Sequence, residues 1–406
     1  MYPMIHSDSN VWRLIGGKGL RAVGDGFVSI LLPAYLLALG HSAFEVGVLT
    51  TATLLGSAVL TLFAGRITRR FGYRRTLLGA TALMALTGLG FASFDEFLPL
   101  LVIGFVGTLN PSSGDVSIFL PVDQSLLSNS VEHSERTRVF AFYSLSGSLI
   151  GAAGTLCAAL PGLLAHGIGI SMLGALRFMF VLYAAMGGLA GLLYSRIAGR
   201  RVSESDVEPV PLGPSRGRVY RLTALFAVDA FGGGFLVQSI LALWLFRTFN
   251  LPVSTAANIF FATNLLAAVS YLLAVPIARR FGLVNTMVFT HLPSSLFLLA
   301  IPFIPNLGIV IGLLMARSLL SQMDVPTRTS YVMAVVTPAE RPAAAGLTSV
   351  PRSLAAAVSP AIAGFLLSVT VFAWPLLLGG GLKIGYDLAL LSMFRHIKPP
   401  DEQHRE

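Results

Sequence analysis

Charge and cysteine are what this chain has least of. Only 12% of its 406 residues are charged, about half the share usual in a soluble domain. The single cysteine, Cys157, excludes an intramolecular disulfide. There is no phosphate-cradling G-x-x-x-x-G-K-[ST] loop, no G-x-S-x-G elbow and no His/Cys cluster of metal-ligand spacing. These absences argue against a nucleotide-driven motor, a serine hydrolase and a metal centre. The expectation is therefore no cofactor, no metal and no enzymatic activity, with ion or solute gradients as the remaining energy source.

Apolar sequence is abundant. Hydrophobic residues make up 54% of the chain and the mean hydropathy is +0.76. One or two soluble cores of this length could not hide that much apolar surface, whereas lipid tolerates it. Runs long enough to cross a bilayer as helices are predicted at 12–38, 45–65, 74–94, 98–127, 139–164 and 172–195, then at 220–248, 254–278, 284–304, 308–336, 342–368 and 371–395. Met1 to Asn10 is polar and the first apolar run carries Lys18, Arg21 and Asp25, so that run reads as a permanent span rather than a cleavable leader.

The formal net charge of +9 is unevenly placed. Arg66, Arg69, Arg70, Arg74 and Arg75 crowd one short loop, and Arg196, Arg200, Arg201, Arg216, Arg218 and Arg221 another. Loops of opposite parity, such as His41 to Glu45 and Asp95 to Glu96, carry almost no Lys or Arg. This is the positive-inside pattern; it predicts cytoplasmic termini in a plasma or inner membrane, and it argues against nucleic acid as the partner.

The sustained polar stretch Arg196 to Arg218, with three prolines, reads as a cytoplasmic linker (196–218) between an N-terminal six-helix half (1–195) and a C-terminal six-helix half (219–406). The halves repeat. Ile67-Thr-Arg-Arg-Phe-Gly72 recurs as Ile277-Ala-Arg-Arg-Phe-Gly282, 210 residues on, and Glu135-Arg136 recurs as Glu340-Arg341, 205 residues on. Internal repeats of this kind build many secondary transporters, with the substrate site between the repeats.

The stretch Gly65-Arg-Ile-Thr-Arg69-Arg70-Phe-Gly72-Tyr-Arg74-Arg75 resembles the loop motif G-x-x-x-D-R-x-G-R-R/K of the major facilitator superfamily. Arg69 stands where the family has its acid, as does Arg279 in the second copy, and no arginine lies in the fourth span where the family carries one. The resemblance implies an all-α fold of twelve transmembrane helices in two pseudo-repeats, with the first and fourth helices of each half lining a central cavity. It also implies a cytoplasmic gate at Gly65, Arg70, Gly72, Arg74, Arg280 and Gly282, which Glu135, Arg136, Glu340 and Arg341 would brace.

Ionisable residues at membrane depth cost a few kcal/mol each and need a partner or water. Lys18, Arg21 and Asp25 share one face of the first span, with Arg21 four residues from Asp25. The fourth span carries Asp115 and Asp123 around the helix-weakening run Asn110-Pro-Ser-Ser-Gly114. The seventh carries Asp229, ahead of Gly232-Gly-Gly234, and the tenth carries Arg317, Ser321, Asp324 and Arg328 on one face. These residues, with Gln238, are the expected substrate or proton pathway, and Tyr331 is a further candidate hydrogen-bonder. Lys383 and Asp387 read as an i,i+4 structural pair, Arg352 as reaching the cavity or snorkelling, His291 as a packing residue able to carry protons, and Trp244 and Trp374 as interfacial.

The leading expectation is an alternating-access secondary transporter, proton-coupled and working as a monomer, for a small polar or anionic solute held by Arg21, Arg317 or Arg328. Efflux is favoured on family frequency; an uptake symporter, a uniporter and a non-transporting membrane sensor are the alternatives. The charge pattern makes a direct prediction: a cysteine placed within 196–218 is expected to resist a membrane-impermeant thiol reagent in intact cells and to react after lysis. Labelling in intact cells would reverse the orientation.

Overall fold

The computed structural model describes residues 9–112, 117–131, 136–197, 212–337 and 340–397. The described residues are α-helical, with two single-turn 3-10 helices and no strand. Among the described residues, eleven helices or helical runs are long and apolar enough to cross a membrane, and Phe97–Val106 is a shorter apolar helix. The chain divides into two compact units, Met1–Glu204 with Leu251–Phe261, and Ser205–Asn250 with Ala262–Glu406.

The first unit contains α1 (Ser9–Ala38), α2 (Ala43–Phe71), α3 (Tyr73–Ser93), α4 (Phe97–Val106), α5 (Phe119–Ser130), α6 (Arg136–Leu156), α7 (Leu160–Ile168) and α8 (Met172–Ser195). In the second are α9 (Arg216–Gly234), α10 (Gln238–Phe249), α12 (Leu283–Ala300), α13 (Leu307–Ser321), α14 (Asp324–Ala334), α15 (Arg341–Val369) and α16 (Trp374–Phe394). Between α10 and α12 runs α11 (Val253–Phe281), whose first residues belong to the first unit.

Four of the predicted spans are interrupted: the one at 139–164 passes through a 3-10 turn, Cys157–Ala159, between α6 and α7, and the other three break for the local reasons that follow. The span expected at 98–127 is split into α4 and α5. Pro111 has no N–H to give and its ring crowds the carbonyl four residues back, at Gly107, which is where α4 stops. Beyond it, the Asn110 side-chain oxygen accepts from the Ser112 N–H at 3.1 Å and its hydroxyl at 2.9 Å, a local turn that competes with the helix. The span expected at 308–336 breaks at Gln322 and Met323 between α13 and α14, again four residues ahead of a proline, Pro326. The span at 220–248 breaks after the triple glycine 232–234, between α9 and α10.

Helix packing repeats with nearly the same offset as the sequence. In the first unit α1 lies so close to α6 that a Cβ on Gly26 would run into the Gly151 carbonyl. In the second, α9 approaches α15 so closely that a Cβ on Gly234 would run into the Ala356 carbonyl. The two glycines are 208 residues apart and the two carbonyls 205. Small residues let the backbones meet where lipid offers no hydrophobic drive. The loop motif repeats too. Gly72 ends α2 at φ +81° and Gly282 ends α11 at φ +85°, a conformation that disfavours any side chain. Their N–H groups donate to Thr68 O (2.8 Å) and Ala278 O (2.9 Å).

The close approaches predict a steric asymmetry among glycines. Gly26→Leu and Gly234→Leu are each expected to destabilise the protein by at least about 1–3 kcal/mol, the range for overpacking. Gly188→Leu, where a Cβ meets nothing within 4 Å, is expected to change little. Thermal loss of monodisperse protein in detergent, followed by size-exclusion chromatography, separates the three. Equal midpoints would show that the helix contacts tolerate a side chain.

Candidate functional site

Each unit buries its own cluster of charges. In the first, Arg21 on α1 is 4% exposed and bridges Asp123 on α5 at 2.6 Å (Nη2 to Oδ2). The same carboxylate oxygen accepts from the Tyr143 hydroxyl at 2.7 Å, and the guanidinium lies 3.9 Å from the centre of the Phe119 ring. Lys18 sits 5.5 Å over the Tyr143 ring. The i,i+4 reading directed Arg21 to Asp25, but its short bridge runs to another helix. Helical spacing sees only one helix at a time. The Asp25 carboxylate accepts a long contact from Asn110 Nδ2 at 3.5 Å. Lys18, Arg21, Asp25, Thr108, Ser117 and Tyr183 help line a cavity of about 10 Å³, room for at most one water. Asp115 lies outside the described residues.

The second unit is more open and more charged. Asp229 on α9 is the hub: its carboxylate accepts from Lys383 Nζ on α16 at 2.7 Å and from Arg328 Nη1 on α14 at 3.0 Å. Arg328 also reaches Asp324, one turn earlier on α14, at 3.2 Å, as the one-face reading implied. His291 on α12 places Nδ1 at 3.0 Å from both Asp387 oxygens, with Nε2 3.4 Å from Lys383 Nζ and 3.8 Å from Asp229 Oδ1. Lys383 and Asp387 thus take partners on other helices, and the expected i,i+4 pair gives way to a tertiary network. A cavity of about 100 Å³ opens beside it, lined by Arg317, Arg328, Arg352, Lys383, Asp229 and Asp324 among others.

Arg317 and Arg352 differ from the other cations. Both have a buried Nε without a hydrogen-bond partner, and among the described residues neither makes an ion pair. The cavity wall therefore holds four fixed cations against two carboxylates.

Of the residues expected to form the pathway, Asp229, Arg317, Asp324 and Arg328 come together. Gln238 does not join them; it accepts from Asn264 Nδ2 at 3.2 Å. Tyr331 donates to the Ile397 carbonyl at 3.2 Å, and Trp244 is buried at 2% exposure rather than interfacial, whereas Trp374 is exposed. Lys383, expected in an i,i+4 pair, and His291, expected as a packing residue able to carry protons, join this network, and Arg352 reaches the cavity, one of its two expected positions. Their signal was a titratable group deep in an apolar run, which asks for partners on any helix.

At the loop motifs, Arg69, Arg70, Arg74, Arg75, Arg279 and Arg280 are exposed. Glu340, at the N-terminus of α15, accepts from Gly213 N at 2.6 Å, Thr337 Oγ1 at 2.7 Å and Ser215 N at 3.4 Å. Hydrogen bonds from Thr337 first, then Ser215 and Gly213, hold its carboxyl down at about 2. Glu340 thus ties the end of the 196–218 segment to α15. Arg341 is exposed and donates to the Met333 carbonyl at 3.2 Å. Glu135 lies outside the described residues, and Arg136 opens α6.

The sequence profile described as Major Facilitator Superfamily matches residues 14–231 and 222–406. The chain belongs to the major facilitator superfamily. It is 24% identical over 410 residues to Uncharacterized membrane protein YJR124C of Saccharomyces cerevisiae, covering 92% of both chains. It is 34% identical to Putative multidrug resistance protein MdtD of Yersinia enterocolitica, over 24% of this chain and 22% of that one. The fold is that of the nucleoside transporter NupG (TM-score 0.73, 14% identity, 95% of this chain and 99% of that one). It is also that of the human organic anion transporter MFSD10 (TM-score 0.65, 16% identity, 94% and 99%). This superfamily member is a multi-pass membrane protein, and its family and fold support secondary transport.

The first cluster yields a stability test. Asp123→Ala removes the carboxylate 2.6 Å from the buried Arg21 guanidinium and is expected to cost about 3–5 kcal/mol, whereas the paired change Arg21→Met with Asp123→Leu is expected to recover most of it. Thermal melting in detergent reads both. A double variant no more stable than Asp123→Ala would show that the bridge itself is required.

Proposed function

We propose that this superfamily member is a proton-coupled, alternating-access transporter of a small organic anion, anchored in its second half by Arg317 and Arg352. One observation carries the reading: a cavity of about 100 Å³ whose wall has two more cations than anions. A guanidinium inside an apolar span demands compensation, and a structural role would be expected to supply a fixed carboxylate. Arg328 has two such carboxylates; Arg317 and Arg352 have none among the described residues. A carboxylate or phosphate group on a solute is the partner that suits a guanidinium fork.

On this reading Arg328, Asp229 and Asp324 hold the anion site in shape, and the Arg21–Asp123 bridge braces the first half. Asp25 is the first half's candidate proton carrier, beside Lys18 and Arg21 in its small cavity. The loop glycines Gly72 and Gly282 and the carboxyl of Glu340 belong to the cytoplasmic gate. Efflux is supported by the quarter of the chain that resembles MdtD. Uptake together with protons is the second reading, favoured by the arrangement around His291.

The test is a flux screen of purified protein in liposomes, using labelled organic anions, neutral metabolites and cationic drugs, with and without a pH gradient. Anions are expected to move and to be driven by the gradient. Arg317→Gln and Arg352→Gln are each expected to raise the half-saturating concentration about 10- to 100-fold, the worth of a hydrogen bond to a charged group. Wild-type kinetics in both variants, or transport of cationic drugs alone, would overturn the anion site. No movement of any solute would favour a sensor.

A further inference from the structure

From the geometry around His291 we infer a proton-loading site, His291 backed by Asp387, that fills cooperatively with the anion, so that proton and anion cross together. This rests on the anion reading of the neighbouring cavity. Nδ1 lies 3.0 Å from both oxygens of Asp387, and an ionised carboxylate only accepts, so Nδ1 carries the hydrogen. The neutral ring then turns the Nε2 lone pair toward Lys383 Nζ, 3.4 Å away. Nε2 is therefore the one position on the ring able to take up a proton. His291 is 3% exposed, yet it lines the cavity of about 100 Å³, which has room for several waters to deliver that proton.

Every charge near the ring can be placed. Lys383 and Asp387 face it from α16, with Tyr386 edge-on at 6.0 Å between ring centres. Asp229 faces it from α9, while Arg317 on α13, Asp324 and Arg328 on α14 and Arg352 on α15 line the same cavity. With the cavity empty of solute, Lys383 and Arg328 both neutralise Asp229, and the Lys383 ammonium beside Nε2 opposes a second positive charge. An anion at Arg317 and Arg352 competes with Asp229 for these two cations. As Lys383 shifts toward the anion, Asp229 loses a partner and Nε2 is left facing its carboxylate, which lies 3.8 Å from Nε2 in this structure. A proton then leaves a cavity hydronium and bonds to Nε2, and the imidazolium takes over as the cation between Asp229 and Asp387.

The exchange conserves local charge, since the anion withdraws one cation and the proton supplies another. Because each favours the other, the coupling is positive in both directions. That gives co-transport; antiport would require the two to compete.

Labelled phosphate, lactate and succinate serve as probes on the full-length protein in detergent. Binding is read by scintillation proximity, and proton uptake by an indicator dye in weakly buffered solution at neutral pH. Wild type is expected to take up about one proton per anion bound. His291→Gln, which leaves only the unprotonated mode of binding, is expected to weaken anion binding about tenfold and to take up fewer than about 0.2 protons per anion. His291→Arg, a fixed cation, is expected to bind without proton uptake, and Asp387→Asn to take up less than wild type. Binding of none of the three probes overturns the anion reading itself. Wild-type binding without proton uptake, or undiminished uptake in either His291 variant, overturns the proton site alone.

Discussion

The carboxylate of Asp229 organises the second half of this protein. It is 3% exposed, on a helix that must cross hydrocarbon, and it is held by an ammonium at 2.7 Å and a guanidinium at 3.0 Å from two other helices. Charges in such a place need an opposite charge at close range or water, and a paired set cannot relax without exposing one of its members. The network therefore fixes the register of α9, α14 and α16 against each other, and Asp387 on α16 positions His291 on α12 in turn. Arg21, Asp123 and Tyr143 do the same for α1, α5 and α6 in the first half.

The two clusters solve one problem with different balances of charge. The first half is nearly closed, and its arginine is committed to a carboxylate. The second leaves two arginines over, around a cavity large enough for a small ligand. A closed ion pair has nothing to offer a solute. A cavity with uncompensated cations suits an anion, and its shared carboxylate, Asp229, would pass the effect of an occupant to every cation that touches it. Structure and chemistry are thus hard to separate at this site, because the bridges that hold the helices are those a substrate would disturb.

Broken helices give these side chains their positions. Pro111 and Pro326 each interrupt a span four residues back, and the triple glycine 232–234 ends α9. Irregular backbone at membrane depth is sustained only where protein or a watered cavity satisfies its polar groups. Asp324 and Arg328 sit just past one such break, so their direction follows α14 rather than α13.

Much was legible in the sequence because it depends on composition and order. Apolar runs of membrane length, the uneven arginine loops and the repeat of Ile67–Gly72 at Ile277–Gly282 established a two-part bundle of transmembrane helices. Burial in lipid is decided residue by residue, and duplicated segments fold alike. Asp229, Arg317, Asp324 and Arg328 line one cavity, because polar side chains in apolar spans turn away from lipid toward one another or toward water. Partnership was another matter. Helical spacing linked Arg21 to Asp25 and Lys383 to Asp387, whereas Arg21 bridges Asp123, and His291 and Asp229 separate the other two. An ion pair is set by distances of a few ångströms between helices remote in the chain. Only the tertiary packing determines which of several equally buried carboxylates each cation meets, and which arginines are left with none.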